Sequence, residues 1–469
     1  MTFAIAHPFF KNLSRTFLYG RRIHASAFQA QASAGAAAAV AAAPLPNIEI
    51  ERPRAPSMQP ISIDDKIRFV DTISSRRTNF GLPGASYHDP VFHECDMRSL
   101  WYKEWIFVGH DCELKKPGDW FTLQLGVYPI LVTMGKDRVI RAFHNVCRHR
   151  GYPLCIDSSG SAKRRFKCQY HQWTYDLDGK LAFARDFDSE LDKDAFSLKP
   201  IALESTGGYL FVSVSENPKP FQPLRDICES YLTPFDLKNA KVAHTSKIIE
   251  KGNWKMVWEN NRECYHCKGS HPELTVSFPD GVWWNGMGGT EEQKKMVKEF
   301  NDKCEELGLR SGFDASEDAS YRLQRIPLEN GARSFTMDGE PAVKTKRLGI
   351  LPLDEPVGDV LFYHYPSTWN HFLADHALSF RLLPISPTET EVTTKWLVPG
   401  DAVEGVDYDL ETLTKVWIET NMQDQKLVEA NQIGVSSPAY EPGPYNMSHE
   451  SGVSQFVDWY CNTSVQQLN

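Results

Sequence analysis

No lysine- or arginine-rich block interrupts the body of this chain, and the formal net charge of its 469 residues is -9. Phosphate-binding proteins are basic on at least one face, so nucleic acid is not the expected partner. Outside the N-terminus no run of roughly 18 apolar residues is free of charge, so no membrane span is expected. The alanine-rich stretch from Ala34 to Ala43 is too short and too weakly apolar to serve as one. There is no internal repeat and no glycine-rich nucleotide loop, so a flavin or nicotinamide would have to act from another protein. Ten cysteines in a chain of this length do not make a disulfide scaffold. Most are expected to be reduced thiols, and the question becomes which of them bind metal.

Acidic residues are also absent before Glu49, while Lys11, Arg15, Arg21 and Arg22 fall in that span. An acid-poor, arginine-bearing leader rich in serine and alanine has the composition of a mitochondrial transit peptide. Arg21 to Ser26 resembles a matrix-processing site, and a plain N-terminal tail is the alternative. The expected address is the mitochondrial matrix, or the cytoplasm if the leader is not a transit peptide.

The length suits two or three domains, and a 41% hydrophobic, 12% aromatic composition supplies ample core for them. Residues 1–48 read as leader and 49–85 as a proline-containing linker. Over 86–216, a helix spaced by Phe92, Met97, Leu100, Trp101 and Trp105 precedes short β-rich runs such as Tyr128 to Thr133 and Tyr209 to Val214, with a turn at Asp178-Gly179. This predicts a small all-β domain. Residues 217–469 are mixed, with helices expected over Trp254 to Cys267, Glu292 to Leu307 and Leu410 to Gln432. Strands are expected over Val360 to His364, His376 to Pro384 and Thr390 to Leu397. The fold class is α+β, with helices set against an antiparallel sheet.

Two constellations carry chemistry. Cys147-Arg148-His149 is followed after 18 residues by Cys168-Gln169-Tyr170-His171. Each short loop offers one thiol and one imidazole. C-x-H paired with C-x-x-H is the spacing of a Rieske [2Fe–2S] cluster, in which Cys147 and Cys168 would hold one iron and His149 and His171 the other. A structural zinc ribbon is the alternative for the same four residues. Neutral imidazoles in place of two thiolates give such a cluster a higher potential than an all-cysteine one.

The second constellation is His266 and His271, five apart, with a helix expected to break near Gly269. Two imidazoles and one carboxylate on one face of a mononuclear iron leave positions open for O₂. Asp424, on an expected helix with Leu427 and Val428 inward, is the chosen carboxylate. Asp375 and Glu429 are its rivals, and a polar helix end with satisfied core histidines is the plain reading of the pair. Glu263 lies one turn before His266. It can fix that imidazole's tautomer and act as an electron bridge.

Together these motifs resemble the oxygenase (alpha) subunit of Rieske non-haem iron oxygenases, over nearly everything from about residue 75 onward. The resemblance is strongest to the glycine betaine monooxygenase group, with choline and carnitine monooxygenases as relatives. It is carried by Gly109 to Leu114, Asn145 to Gly151, His171 to Gly179, Lys251 to Lys255, Trp258 to His266 and Ser437 to Tyr445. Glu263 stands where the wider family has Asp, as in the quaternary-amine branch. The resemblance implies a Rieske domain over 86–216 and a helix-grip catalytic domain over 217–469. It further implies a homotrimer in which His171 of one chain approaches Glu263 of the next, and a separate flavin- and iron–sulfur-containing NAD(P)H reductase. Its implied reaction is oxidation of an N-methyl group, most simply glycine betaine to dimethylglycine and formaldehyde; choline, carnitine or another betaine is the alternative substrate. A Rieske electron-transfer protein without oxygenase activity is the alternative class. Respiratory Rieske proteins add a disulfide between the two loops; here Tyr152 and Tyr170 occupy those places, and Cys155 has no evident partner. The leader departs from the bacterial pattern and suggests a mitochondrial version. A quaternary ammonium is best held over aromatic faces; Trp283, Trp284 and Phe278 are candidates, equally readable as core.

Overall fold

The computed structural model describes residues 60–187, 191–279 and 289–468. Two antiparallel seven-stranded sheets organise them. The first runs in the spatial order Ile106–His110, Tyr209–Ser213, Pro200–Thr206, Ile140–His144, Tyr128–Met134, Asp119–Leu125 and Ser159–Ser161. A three-stranded sheet of Arg165–Lys167, Thr174–Asp176 and Leu181–Phe183 extends this half. The expected strands at Tyr128 and Tyr209 are present. Tyr209–Ser213 is buried along its whole length, as a strand covered on both faces must be.

The second sheet has the order Ala240–Glu250, Glu389–Pro399, Ala377–Ser386, Thr368–Phe372, Asp359–His364, Tyr321–Ile326 and Gly312–Ala315. Helices Trp254–Asn261 and Leu410–Val435 pack against its first strands. The first is capped by Asn253, whose side chain accepts from the Lys255 N–H. The second is capped by Asp409, which accepts from Thr412. The helix expected to reach Cys267 stops at Asn261, because Asn260 and Asn261 compete for backbone hydrogen bonds and are weak helix formers. That early stop makes room for the turn that carries Glu263 and His266.

Three elements differ from the sequence reading. Ile63–Ser74, inside the span read as linker, is a helix capped by Ser62. Ala240–Glu250 is an eleven-residue strand. Leu410–Val435 is followed by a further helix, Ser451–Leu468. Among the described residues no helix is long and apolar enough to cross a membrane.

One apolar core runs from Ile106, Val132 and Leu210 in the first sheet to Phe380 and Trp396 in the second. Polar bonds cross with it. The Phe107 N–H donates to Ser367 Oγ at 3.0 Å, and an Arg381 guanidinium N–H donates to the Val108 carbonyl at 3.0 Å. Helix Pro90–Asp96 is tied in by its last residue. The wholly buried Asp96 carboxylate accepts from Lys255 Nζ, from Trp254 Nε1 at 3.1 Å and from the Tyr460 hydroxyl at 2.8 Å. Removing the acid strands a buried ammonium, so Asp96→Ala is expected to cost about 3–5 kcal/mol. Chemical denaturation checks this, and a loss under about 1 kcal/mol would count against the pair as a fastening.

Candidate metal centres

The two cysteine loops are built alike. The Cys147 N–H donates to the Tyr152 carbonyl at 2.9 Å, and the Gly151 N–H returns to the Cys147 carbonyl at 2.9 Å. In the second loop the Cys168 N–H donates to Trp173 at 2.8 Å, and Gln172 returns to Cys168 at 3.0 Å. This knuckle needs a left-handed residue four places after each cysteine. Gly151 adopts φ +78° at no steric cost, and Gln172 adopts φ +62° against the usual preference. A strained non-glycine residue held in a repeated motif is a mark of a functional loop.

The loops converge on a small core of their own that includes Cys147, Cys168, Trp173 and Tyr175. The thiols of Cys147 and Cys168 face each other, and the rings of His149 and His171 lie 4.5 Å apart. Trp173 stacks on His149 at 5.0 Å. His149 Nδ1 is buried without a hydrogen-bond partner among the described residues. Tyr175 stitches the first loop, its hydroxyl accepting from the Arg148 N–H at 3.0 Å and lying 3.4 Å from Cys147 Sγ. Asn145 holds the loop's exit, accepting from the Leu154 and Cys155 N–H groups and donating to the Cys155 carbonyl. Cys155 is a free, buried thiol.

The second centre forms where the turn after Asn261 meets the long helix. His266 Nε2 and His271 Nε2 are 3.0 Å apart, and Asp424 Oδ1 lies 3.4 Å from the first and 3.0 Å from the second. The far nitrogens are already engaged: His266 Nδ1 meets Glu263 Oε1 at 2.5 Å, and His271 Nδ1 meets Gln423 Oε1 at 2.7 Å. The Gln423 amide is oriented in turn, since its nitrogen donates to Glu273 at 2.9 Å. Carboxylate and amide oxygens can only accept, so both Nδ1 atoms carry the proton. Both Nε2 atoms therefore turn inward, toward each other and the carboxylate oxygen.

Burial alone would depress His266, but the Asp424 and Glu263 carboxylates outweigh it and hold the imidazole at about 9. His271 is raised in the same way, chiefly by Asp424. Burial would raise Asp424, but the two imidazoles hold it below the usual carboxylate range. All three directions show groups that favour a positive charge among them.

Glu263, chosen from its spacing, stands where that spacing puts it. The rivals of Asp424 are occupied elsewhere: Asp375 accepts from Ser334, Ala342 and His376, and Glu429 accepts from the Lys251 N–H. Val428 is buried as expected, whereas Leu427 is 38% exposed. The Cys267 sulfur also lies near both imidazole nitrogens, but it is bonded to Cys264 as a disulfide and has no thiolate to offer. That pair is an exception to the expectation, met by the eight free cysteines, that most thiols are reduced.

Gln423 escaped the sequence reading, because an amide beside an acid on a helix carries no motif. Replacing it with Leu strips His271 of its orienting acceptor. Iron affinity of Gln423→Leu is expected to fall by about 10–100-fold, read by equilibrium against a chelator; unchanged affinity would remove Gln423 from the site.

The histidine–aspartate triangle opens onto a cavity of about 400 Å³. Its apolar lining includes Phe278, Phe362, Trp369 and Trp417. His371, also in the wall, is fixed by Asp359 at 2.7 Å. Trp283 and Trp284 lie outside the described residues.

Comparison with known proteins places this geometry. Residues 104–190 match the Rieske [2Fe–2S] domain, and residues 237–463 match the ring hydroxylating alpha subunit (catalytic domain). A glycine betaine monooxygenase oxygenase subunit of Chromohalobacter salexigens is 43% identical over 401 residues, covering 85% of this chain and 89% of that protein. The chain belongs to the Rieske non-haem iron oxygenases. A second protein of the same name, from Pseudomonas aeruginosa, is 42% identical over 85% of this chain and 92% of its own length. A crystal structure of a quaternary ammonium Rieske monooxygenase shares the fold, with a TM-score of 0.64 at 24% identity, covering 84% of this oxygenase and 98% of that chain.

The family's cofactors are a Rieske [2Fe–2S] cluster and a mononuclear non-haem iron, and both fit. The paired loops present two thiols and two imidazoles, one with an orphaned nitrogen, and the triangle presents two inward imidazole nitrogens and a carboxylate that draw positive charge between them. The mitochondrial address is overturned. Relatives at 42–43% identity over most of the chain are bacterial proteins of Chromohalobacter and Pseudomonas. Acid-poor, alanine-rich composition is a loose signal that many leaders and tails share, so the transit-peptide reading of residues 1–48 is withdrawn with it.

Proposed function

We propose that this oxygenase removes a methyl group from glycine betaine, giving dimethylglycine and formaldehyde. Cys147, His149, Cys168 and His171 hold the cluster, and His266, His271 and Asp424 hold the mononuclear iron. The two domains are read as 86–216 and 217–469; the matched segments fall inside them. The observation that carries the reading is the triangle of Nε2, Nε2 and carboxylate, its outer nitrogens locked, opening into an aromatic cavity. When bound, the cluster supplies single electrons and the iron supplies O₂ activation. The overall change consumes glycine betaine, O₂, a pair of electrons and a pair of protons. It yields dimethylglycine, formaldehyde and water, with the electrons coming from a separate reductase.

The chain's own residues do the positioning. Glu263 and Gln423 keep both imidazoles turned inward. Trp369, Trp417 and Phe278 offer π faces to a trimethylammonium, at roughly 0.5–2 kcal/mol per ring, and exclude water from the methyl groups. The proposal is tested with glycine betaine and a reconstituted reductase, following formaldehyde and O₂ uptake. Formaldehyde in step with O₂ supports it; betaine aldehyde from choline, with glycine betaine inert, would move the assignment to choline oxidation.

The assembly is read as a homotrimer in which the Rieske loops of one subunit serve the iron of its neighbour. Tyr170, beside His171, is 54% exposed, and Tyr265, beside His266, is 59% exposed. Each site thus carries an open aromatic ring at its rim, suited to being covered. Coexpression of the inactive Cys147→Ala and His266→Ala variants is expected to restore measurable turnover through mixed trimers. No recovery from isolated mixed assemblies would contradict transfer between subunits.

A further inference from the structure

Two guanidiniums stand in the wall of the iron cavity without an acid partner among the described residues. Arg262 follows directly after helix Trp254–Asn261, one residue before Glu263. Arg322 lies on strand Tyr321–Ile326, directly opposite Tyr363 of the neighbouring strand. Both line the cavity with His266, His271 and Asp424. The Tyr363 ring carries both charges, with the Arg262 guanidinium 4.2 Å and that of Arg322 5.1 Å from its centroid. The Tyr363 hydroxyl is itself held, donating to Gln455 at 3.1 Å.

Among the described residues neither arginine forms an ion pair, and the Nε atom of each is buried with no hydrogen-bond partner. Arg262 reaches the Tyr365 hydroxyl. Burial, and then the positive charge of Arg262, bring Arg322 down to about 10, which still leaves it charged at neutral pH. Two half-buried like charges, each with a buried Nε donor unused, are costly unless an anion answers them. A carboxylate is the anion whose two oxygens match the guanidinium fork. Among the described residues the acids lining the cavity are Glu263 and Asp424, and both already face the histidines.

We propose that Arg262 and Arg322 form the carboxylate-binding end of the substrate cavity, so that the enzyme selects zwitterionic betaines over cationic alcohols. This rests on the quaternary-amine reading above and extends it to what discriminates among such amines. The ammonium end sits on the tryptophan faces, and the carboxylate end lies against the arginines. Choline offers the same ammonium but brings a hydroxyl to two positive charges, so it gains little there.

Calorimetric titration of the holoenzyme separates the two ends with three probes. Glycine betaine has both, choline keeps only the cation, and tert-butylacetate keeps the carboxylate with a quaternary carbon in place of nitrogen. Arg262→Gln and Arg322→Gln are each expected to weaken glycine betaine and tert-butylacetate by about 10–100-fold, with choline affinity unchanged or improved. Arg322→Lys keeps the charge but not the fork, and recovers part of the loss. Equal weakening of all three probes, or carboxylate ligands bound as by the unaltered enzyme, overturns the proposal. So does an unaltered enzyme that binds choline as tightly as glycine betaine, a result that needs no variant to fold. Failure of the demethylation reading looks different: no formaldehyde forms from glycine betaine, while tert-butylacetate still reports the arginine pair.

Discussion

His266→Ala eliminates formaldehyde release while leaving the visible absorption of the [2Fe–2S] cluster intact. The two centres draw on separate parts of the chain. The cluster loops are closed by their own backbone bonds and packed in their own small core around Trp173 and Tyr175. The triangle depends on one turn and one helix. Removing a direct ligand costs more than the roughly 10–100-fold that attends loss of an orienting partner, so turnover falls to background. Iron content should drop by the mononuclear share alone. Bleaching of the cluster in the same variant would show that the centres are not independent.

Glu263→Gln has the second largest effect, and of another kind. The side chain spans the gap between chemistry and surface. One oxygen accepts from His266 Nδ1–H at 2.5 Å, and the other accepts from the His266 backbone N–H at 3.3 Å. The residue also lines both the main cavity and a second cavity, each of which His266 lines too. Glutamine can still accept the imidazole proton, so the ligand stays oriented and iron is retained. It lacks the charge that steadies the imidazole and that, in the proposed trimer, meets the neighbouring cluster's histidine. Reoxidation of the reduced cluster in a single turnover is expected to slow by about 10–100-fold, with iron content within error of the unaltered protein. Equal loss of iron in Glu263→Gln and His266→Ala would remove the bridging role.

The cluster loops were legible because each is a contiguous motif: ligand spacing, the glycine at 151 and the aromatic at 173 all sit within a few residues. His266 and Glu263 were legible for the same reason. Asp424 could be chosen because its helix is strongly patterned, but only the fold excludes Asp375 and Glu429, by giving each its own partners. Gln423, Arg262 and Arg322 were not legible. Their roles depend on a strand and a helix meeting across more than fifty residues of sequence, which no local period records.

Among the elements, Ala240–Glu250 was missed because alternate positions face solvent at a sheet edge, so its run is polar. Ser451–Leu468 was missed because serine, threonine and valine are poor helix formers. Packing of Val453, Phe456 and Tyr460 into the core stabilises it instead. The leader misled because composition alone carried the reading.

The central claim is that one chain holds two chemically different iron centres. Metal and acid-labile sulfide analysis of anaerobically purified protein tests it most directly. The account predicts about three iron atoms and about two sulfides per chain, with no zinc. About two irons per chain would leave a relay without a reactor, and zinc at the paired loops would contradict the account outright.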